Sequence, residues 1–268
     1  MRKPYRFARA LFLLALASPL GLAWLPADRM SADRLSLGLD PAFQALLQSS
    51  FRQLSITLVA TLALAMLLTM VLGYASVLWQ RFGRTGSSIL KAVESVPAIL
   101  VALFFYAPVS GYLARHSSGA SQLVSLIVFI LAATLTMLPE SVRGVAIPLG
   151  DLYHRKYSLS FRSYGFTKRR ILAVLMASQT MRGTLKRTAA GILLKTLVLD
   201  CSFGFIIQLG FGSYGTPAHA SPGALIAANR DALFEGGTPL EFWLPSLLLV
   251  AISTSFLLTL ADRVEVAA

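Results

Sequence analysis

The sequence predicts an all-α integral membrane protein with six transmembrane helices, and three observations lead to that fold class. The 268 residues are 56% hydrophobic and only 13% charged, about half the charged fraction of an average soluble domain. The apolar residues form long runs, and a spanning helix needs about 20 mostly apolar residues. The cations, which give a net charge of +12, gather in alternate loops, as they do in membrane proteins. We therefore expect one transmembrane domain over residues 1–268.

Six apolar windows give the predicted spans. They lie near residues 8–27, 53–78, 88–107, 122–146, 188–210 and 241–261. The first window could instead be a secretory signal peptide, because four cations precede its apolar run. We favour a retained helix, since the run reaches Leu25 and a second span follows soon after.

The distribution of Lys and Arg predicts the orientation in the membrane. The densest basic group lies in the loop 147–187, whereas 28–50 mixes cations with Asp residues and 108–121 carries only Arg115. The positive-inside rule then places both termini and the loop 147–187 in the cytoplasm. The loop 211–240 is external, and its segment "GALIAANRDALF" predicts a short helix lying at the outer face.

Composition also excludes several classes of function. The pI near 10.3 would fit a nucleic-acid binder, but the cations follow the membrane pattern, so we expect contact with lipid and none with nucleic acid. One cysteine, Cys201, excludes an internal disulfide, and three scattered histidines do not form a metal site. The chain has neither an ATP-binding Gly-rich Lys-Ser/Thr loop nor a catalytic triad. We expect no enzymatic activity and no cofactor bound by this chain.

The stretch "SFRSYGFTKRRI", residues 160–171, concentrates charge in an apolar chain. It predicts a short helix, a break at Gly165 and a second helix, because glycine allows the turn. The first turn of the second helix carries three cations: Lys168, Arg169 and Arg170. Cations there oppose the helix dipole, so local stability does not explain them. Three aromatic side chains flank the glycine: Phe161, Tyr164 and Phe166. The segment is therefore either a solvated basic loop that meets anionic lipid or a docking surface for another protein.

Gly165, followed six residues later by Ile171, resembles the "EAA…G…I-LP" loop of ABC importer permeases. Further fragments, in order along the chain, resemble the second permease of dipeptide, oligopeptide and nickel importers. They are "LGLD" at 37–40, "RQLSI" at 52–56, "VESVPAILVAL" at 93–103, "LPESVR" at 138–143, "SPGALIAANRDAL" at 221–233 and "FWLPSLLL" at 242–249. The chain departs from the family pattern at five positions of the loop: Leu159, Ser160 and Phe161 replace Glu-Ala-Ala, and Ala177 and Ser178 replace Leu-Pro.

The resemblance implies the fold of a type I ABC importer permease in the inner membrane of a bacterium. Its partners would be a homologous second permease, two ATPase subunits that use ATP and Mg, and an extracytoplasmic substrate-binding protein. It also implies a coupling helix near 157–166 that docks on an ATPase subunit. The residues implied at that contact are Leu159, Ser160, Phe161, Tyr164, Gly165, Lys168, Arg169, Arg170 and Ile171. In that interpretation, Phe161 and the three cations replace the missing Glu.

Alternatives remain open both for the transported solute and for the class of function. The solute could be a dipeptide, an oligopeptide, nickel, a metal-carrying chelator or a cationic peptide, since this family selects it mainly through the binding protein. Two other functions also fit a six-span chain. One is an intramembrane enzyme that draws on Asp200, Glu94 or Glu140, and the other is a membrane anchor or assembly factor that recruits a cytoplasmic protein through the basic loop.

Charged residues inside predicted spans are candidates for function, because they are costly in a membrane. Asp200, with Ser202 nearby, is predicted either to line a translocation path or to pair with another helix. Lys195 is expected to extend towards the cytoplasmic interface. Two pairs spaced i, i+3 are expected to form structural ion pairs: Lys91 with Glu94, and Glu140 with Arg143.

Overall fold

The computed structural model describes residues 3–25, 40–79, 92, 96–105, 120–206, 221–233 and 239–261. Every regular element in these ranges is helical. The α-helices are α1 (Lys3–Leu22), α2 (Pro41–Leu78), α3 (Ala120–His154), α4 (Lys156–Ser163), α5 (Lys168–Met176), α6 (Gln179–Ile206), α7 (Pro222–Ala228) and α8 (Leu240–Ala261). A 3₁₀ turn, Arg230–Leu233, follows α7.

Four of the described helices are long and apolar enough to cross a membrane, which indicates an all-α, multi-pass membrane protein. They are α2, the part Leu126–His154 of α3, α6, and the part Leu240–Leu258 of α8. They correspond to the predicted second, fourth, fifth and sixth spans. The first predicted span overlaps α1, whose apolar part, Leu11–Leu22, is shorter. Of the third predicted span, the structure describes residue 92 and residues 96–105, and the stretch 98–105 is helical.

The helices extend further than the predicted spans. α2 begins at Pro41 instead of 53, because Asp40 accepts a hydrogen bond from the Ala42 amide and Pro41 occupies the first helical position. The predicted loop 147–187 is mostly helical, since α3 continues to His154 and α6 begins at Gln179. Apolar windows measure what fits in lipid, and a helix continues into water as long as its backbone bonds and packing allow.

The centre of the bundle is a close contact between α2 and α3. α2 turns a row of small side chains inward at every fourth position, and all of them are buried: Thr57, Thr61, Ala65, Thr69 and Gly73. Small residues allow two helix backbones to approach closely inside a membrane. Phe129 and Phe203 fill the space beside this contact, with ring centroids 5.1 Å apart. α6 packs against α2, α3, α7 and α8, so it is the helix that joins the bundle.

The short helices lie at opposite ends of the bundle. One apolar cluster joins α5 to the C-terminal ends of α2 and α3 and to the start of α6. At the other end, Leu225 of α7 packs against Phe43 and Leu47 near the start of α2. α2 has 38 residues, about 57 Å at 1.5 Å per residue. The α4–α5 segment and α7 are therefore separated by the length of a membrane-spanning helix.

The helix predicted in the loop 211–240 is present as α7. Ser221 caps it by accepting a hydrogen bond from the Ala224 amide. α7 lies directly against α6, because a Cβ atom at Gly223 would be 1.8 Å from the carbonyl oxygen of Cys201. On the other side of the contact, a Cβ at Gly204 would be 1.7 Å from the Ser221 hydroxyl. The two glycines thus make this helix crossing possible.

α1 and α8 close the bundle on one side. Ser255 of α8 donates a hydrogen bond to the carbonyl of Leu13 in α1, and Trp24, just after α1, donates one to the Ser55 hydroxyl of α2. Only 17% of the most apolar part of α8 is buried within the chain. Its exposed apolar side chains, such as Trp243, make it suited to contact lipid or another membrane helix.

Candidate functional site: a basic helical hairpin and a polar cleft

The segment 156–176 forms the predicted helix, break and helix, which we call the basic hairpin. The break is a Schellman turn: the Gly165 amide donates to the Arg162 carbonyl and the Phe166 amide donates to the Phe161 carbonyl. Gly165 has φ +78°, in the left-handed region that glycine adopts without cost. The sequence prediction of a break at Gly165 is confirmed.

Phe161 and Phe166 pack on each other across this turn, with ring centroids 5.8 Å apart. An apolar contact between these two positions often accompanies a Schellman turn. Arg170 lies over the Phe166 ring, 4.9 Å from its centroid. Part of the aromatic and basic character of the segment therefore stabilises the turn itself. The sequence could have indicated this contact, because Phe161 and Phe166 stand at the two apolar positions that a Schellman turn with glycine at 165 brings together.

Three hydrogen bonds attach the hairpin to the long helices. Lys168 Nζ donates to the carbonyl of Leu78, the last residue of α2, at 3.0 Å. The Tyr74 hydroxyl donates to the Arg169 carbonyl at 3.0 Å, and Arg162 donates to the Tyr153 carbonyl at 3.1 Å. A cation at the C-terminal end of a helix is favourable. Lys168 is unfavourable at the start of its own helix, and its hydrogen bond to the C-terminal end of α2 explains why a cation stands there.

The apolar side of α5 completes the attachment. Ile171, Leu172 and Leu175 are buried against α2, α3 and Met181 of α6. Ile171, predicted at the partner contact, is therefore a core residue of this chain, 2% exposed. The hairpin is fixed to three long helices at once, so its position and theirs depend on one another.

The other side of the hairpin is exposed and partly apolar. Leu159, Phe161 and Tyr164 are 49%, 37% and 81% exposed. Ser160, Arg169 and Arg170 are exposed beside them. We call these six residues the hairpin patch. Exposed aromatic and aliphatic side chains together with arginines have the composition of a protein-docking surface.

A cleft of about 520 Å³, which we call the polar cleft after its charged residues, lies between α3 and α6, and most of its lining surface is apolar. Its α3 wall presents Glu140, Ser141, Gly144 and Pro148. Its α6 wall presents Gly183, Thr184, Arg187, Thr188, Gly191, Ile192, Leu194 and Lys195. Small residues on both walls leave the space open, and a few hydroxyl and charged groups lie within the mostly apolar lining.

Glu140 and Lys195 form an ion pair across this cleft. Glu140 is six residues before the end of the predicted fourth span, and Lys195 is seven residues after the start of the predicted fifth span. Their side chains are 63% and 49% exposed on the isolated chain. A charged group near the end of a span reaches water at the interface, so the exposure of this pair does not require a path through the membrane.

The Lys195 ammonium contacts Glu140, and the expected extension of Lys195 towards the cytoplasmic interface stays a prediction. Sequence analysis paired Glu140 with Arg143 and did not anticipate Lys195, which is on another helix and 55 positions away. The predicted pair of Lys91 and Glu94 lies outside the described residues.

Asp200 and Ser202, predicted candidates for a translocation path, lie on α6 beyond Lys195. Asp200 is buried, 1% exposed, and Ser202 is partly buried. Neither is among the residues that line the polar cleft. Asp200 is thus enclosed by this chain, and its two predicted roles, lining a translocation path or pairing with another helix, stay predictions.

Among the residues that the structure describes, no group of three or more His, Cys, Asp or Glu side chains could hold a metal ion. No protein-family model matches the chain, and no curated protein matches it either. The functional assignment therefore depends on the hairpin and the sequence resemblance.

Proposed function

We propose that this chain is the membrane-spanning permease subunit of an ATP-driven ABC importer. The basic hairpin carries the proposal: its two short helices lie between α3 and α6 in the chain, pack against α2, α3 and α6, and leave the hairpin patch exposed. In this function the patch docks on a separate ATPase subunit, and movement of that subunit is passed to the bundle. The resemblance of residues 160–171 to the permease loop supports the same assignment. The distance between the hairpin and α7 also fits, because α7 would then face the external substrate-binding protein while the hairpin faces the cytoplasm.

The docking role is tested by capture of the proposed ATPase subunit. Tyr164→Ala should reduce capture and ATP-dependent uptake in proteoliposomes, because the ring is 81% exposed and contributes to the patch. Val174→Ala is the matched control, since Val174 is an exposed apolar residue of the same hairpin outside the patch. Equal capture by both variants and the native chain would contradict docking through the patch.

Sidedness and dependence on nucleotide are separate tests. A cysteine placed at Tyr164, in a Cys201→Ala background, should react with an impermeant maleimide only after the cells are lysed. Labelling in intact cells would place the hairpin outside and end the proposal. Activity of the purified chain without a nucleotide-hydrolysing partner would favour the intramembrane enzyme, and ATPase-independent capture of another cytoplasmic protein would favour the anchor.

A further inference from the structure

The chemistry of the polar cleft changes along its length. At the end nearer the basic hairpin, the α6 wall presents Thr184, Arg187 and Thr188, and further along it presents Ile192 and Leu194. Most of the lining surface is apolar. Arg187 directly precedes the predicted fifth span, at the level where lipid head groups meet a membrane helix. A cation at that level followed by an apolar length matches the two parts of a phospholipid.

Arg187 is the cation of the cleft that is left for a ligand. Glu140 and Lys195 at the far end neutralise one another, whereas no carboxylate of the described residues forms an ion pair with Arg187. Around the hairpin ends of α3 and α6, the described residues include one exposed carboxylate, that of Asp151, and four more exposed cations. These cations are Arg155, Lys156, Arg182 and Lys186. The excess of positive charge attracts anions, and basic pockets between membrane helices bind the head groups of anionic lipids.

The cleft is narrow for its length. Its lining follows α6 from Gly183 to Lys195, about 18 Å at 1.5 Å per residue. The volume of about 520 Å³ gives a mean width of about 6 Å over that length, whereas an α-helix with its side chains is about 10–12 Å across. A helix of another protein is therefore too wide to enter the cleft, while a flexible hydrocarbon chain is not.

From these observations we propose that the polar cleft is a binding site for an anionic phospholipid of the surrounding bilayer. The lipid phosphate contacts the guanidinium of Arg187, and the Thr188 hydroxyl donates a hydrogen bond to it. One acyl chain extends along Ile192 and Leu194, between α3 and α6. The bound lipid holds the two cleft walls together, and this role does not depend on transport by the chain.

Native mass spectrometry of the purified full chain measures this binding by counting the bound lipids during a titration. Phosphatidylglycerol should bind the native chain more tightly than phosphatidylcholine with the same acyl chains, because only the first has a net negative charge. Glycerol 3-phosphate has the anionic head group without acyl chains, so it should not displace phosphatidylglycerol. Displacement by glycerol 3-phosphate would show a site for a free phosphate ester and would contradict a lipid site.

Arg187→Gln tests the contact with the head group. It should raise the half-saturating concentration of phosphatidylglycerol about fivefold, which corresponds to the roughly 1 kcal/mol that one cation contributes near an anionic lipid surface. Binding of phosphatidylcholine should not change. Lys186→Gln is the matched control, because Lys186 is an exposed cation on the same helix and is not among the residues that line the cleft. It should have a much smaller effect.

Gly191→Leu tests the contact with the acyl chain. A Cβ added at Gly191 meets no atom within 4 Å, so leucine should extend into the cleft without a clash and should weaken binding of phosphatidylglycerol. Gly150→Leu is the matched control, because a Cβ added there also meets no atom within 4 Å and Gly150 does not line the cleft. Thermal unfolding in detergent shows whether each variant is folded, and the comparison of Arg187→Gln with Lys186→Gln decides the question if Gly191→Leu is not.

Three further results would overturn the inference. Equal affinity of the native chain for the two lipids would exclude recognition of the head-group charge. Equal losses in Arg187→Gln and Lys186→Gln would show that the lipid responds only to the general charge of the surface. Unchanged binding in a folded Gly191→Leu variant would place the lipid outside the cleft, and the cleft would then be a surface that another protein covers.

Discussion

Replacement of Gly165 by alanine should loosen the basic hairpin without disturbing its packing. A Cβ added at Gly165 meets no atom within 4 Å, so no clash contributes. The whole loss of free energy comes from the backbone angle φ of +78° at this position. This left-handed conformation costs a non-glycine residue about 1–2 kcal/mol. This corresponds to a roughly 5–30-fold increase in the population of the opened turn.

Hydrogen exchange measures this directly, because the Gly165 and Phe166 amides donate the two hydrogen bonds of the turn. Both amides should exchange about tenfold faster in Gly165→Ala. Gly165→Asn should be closer to the native protein, since asparagine tolerates the left-handed region better than alanine does. If docking depends on the turn, ATPase capture should decrease in the same order.

The matched control is Gly150→Ala in the interior of α3, where an added Cβ also meets nothing within 4 Å. There the backbone is helical, and alanine should stabilise the helix by up to about 1 kcal/mol. The same substitution is thus expected to have opposite signs at the two positions. Equal exchange rates in Gly165→Ala and the native protein, or equal losses for alanine and asparagine, would refute the conformational explanation.

Three further substitutions test the packing by thermal unfolding in detergent. Gly223→Ala should lower the Tm by several degrees, because its Cβ collides with the Cys201 backbone and overpacking costs about 1–3 kcal/mol. Gly21→Ala is the control, since an added Cβ meets no atom within 4 Å there. Equal Tm values for the two variants would contradict the close crossing of α6 and α7. Lys168→Met should cost about 1 kcal/mol by removing the hydrogen bond to the end of α2, and an unchanged Tm would make that bond unimportant. Ser221→Ala should cost about 0.5–2 kcal/mol through loss of the α7 cap. Hydrogen exchange of the amides in the first turn of α7 should be faster in this variant, and unchanged exchange rates would show that the cap is dispensable.

The sequence could predict features that depend on local chemistry. The break at Gly165 follows from the backbone freedom of glycine, and the apolar helices follow from residues that only a membrane or a core accepts. The start of α2 was also readable, because Asp40 followed by Pro41 is a helix-start signal. The span prediction missed this start, because the first turns of α2 are polar and an apolar window begins only after them.

Contacts between distant helices could not be read in the same way. Lys168 contacts a carbonyl 90 positions earlier, and Lys195 pairs with a residue on α3. Spacing within one helix shows which side chains share a face, but it does not show which helix lies opposite. The cleft was missed for the same reason, since neither wall alone encloses a space.

The hairpin and the cleft are connected by the same two helices, which gives the proposed coupling a physical route. Glu140 lies about 21 Å before the end of α3 and Lys195 about 24 Å after the start of α6, at 1.5 Å per residue. α5 packs on α3 and α6 near those ends, so a displacement of the hairpin acts on both cleft walls. A relative movement of a few Å would separate the ion pair, whose attraction falls as its charges move apart. The hairpin and the two cleft walls therefore move together, and a displacement of one changes the geometry of the other.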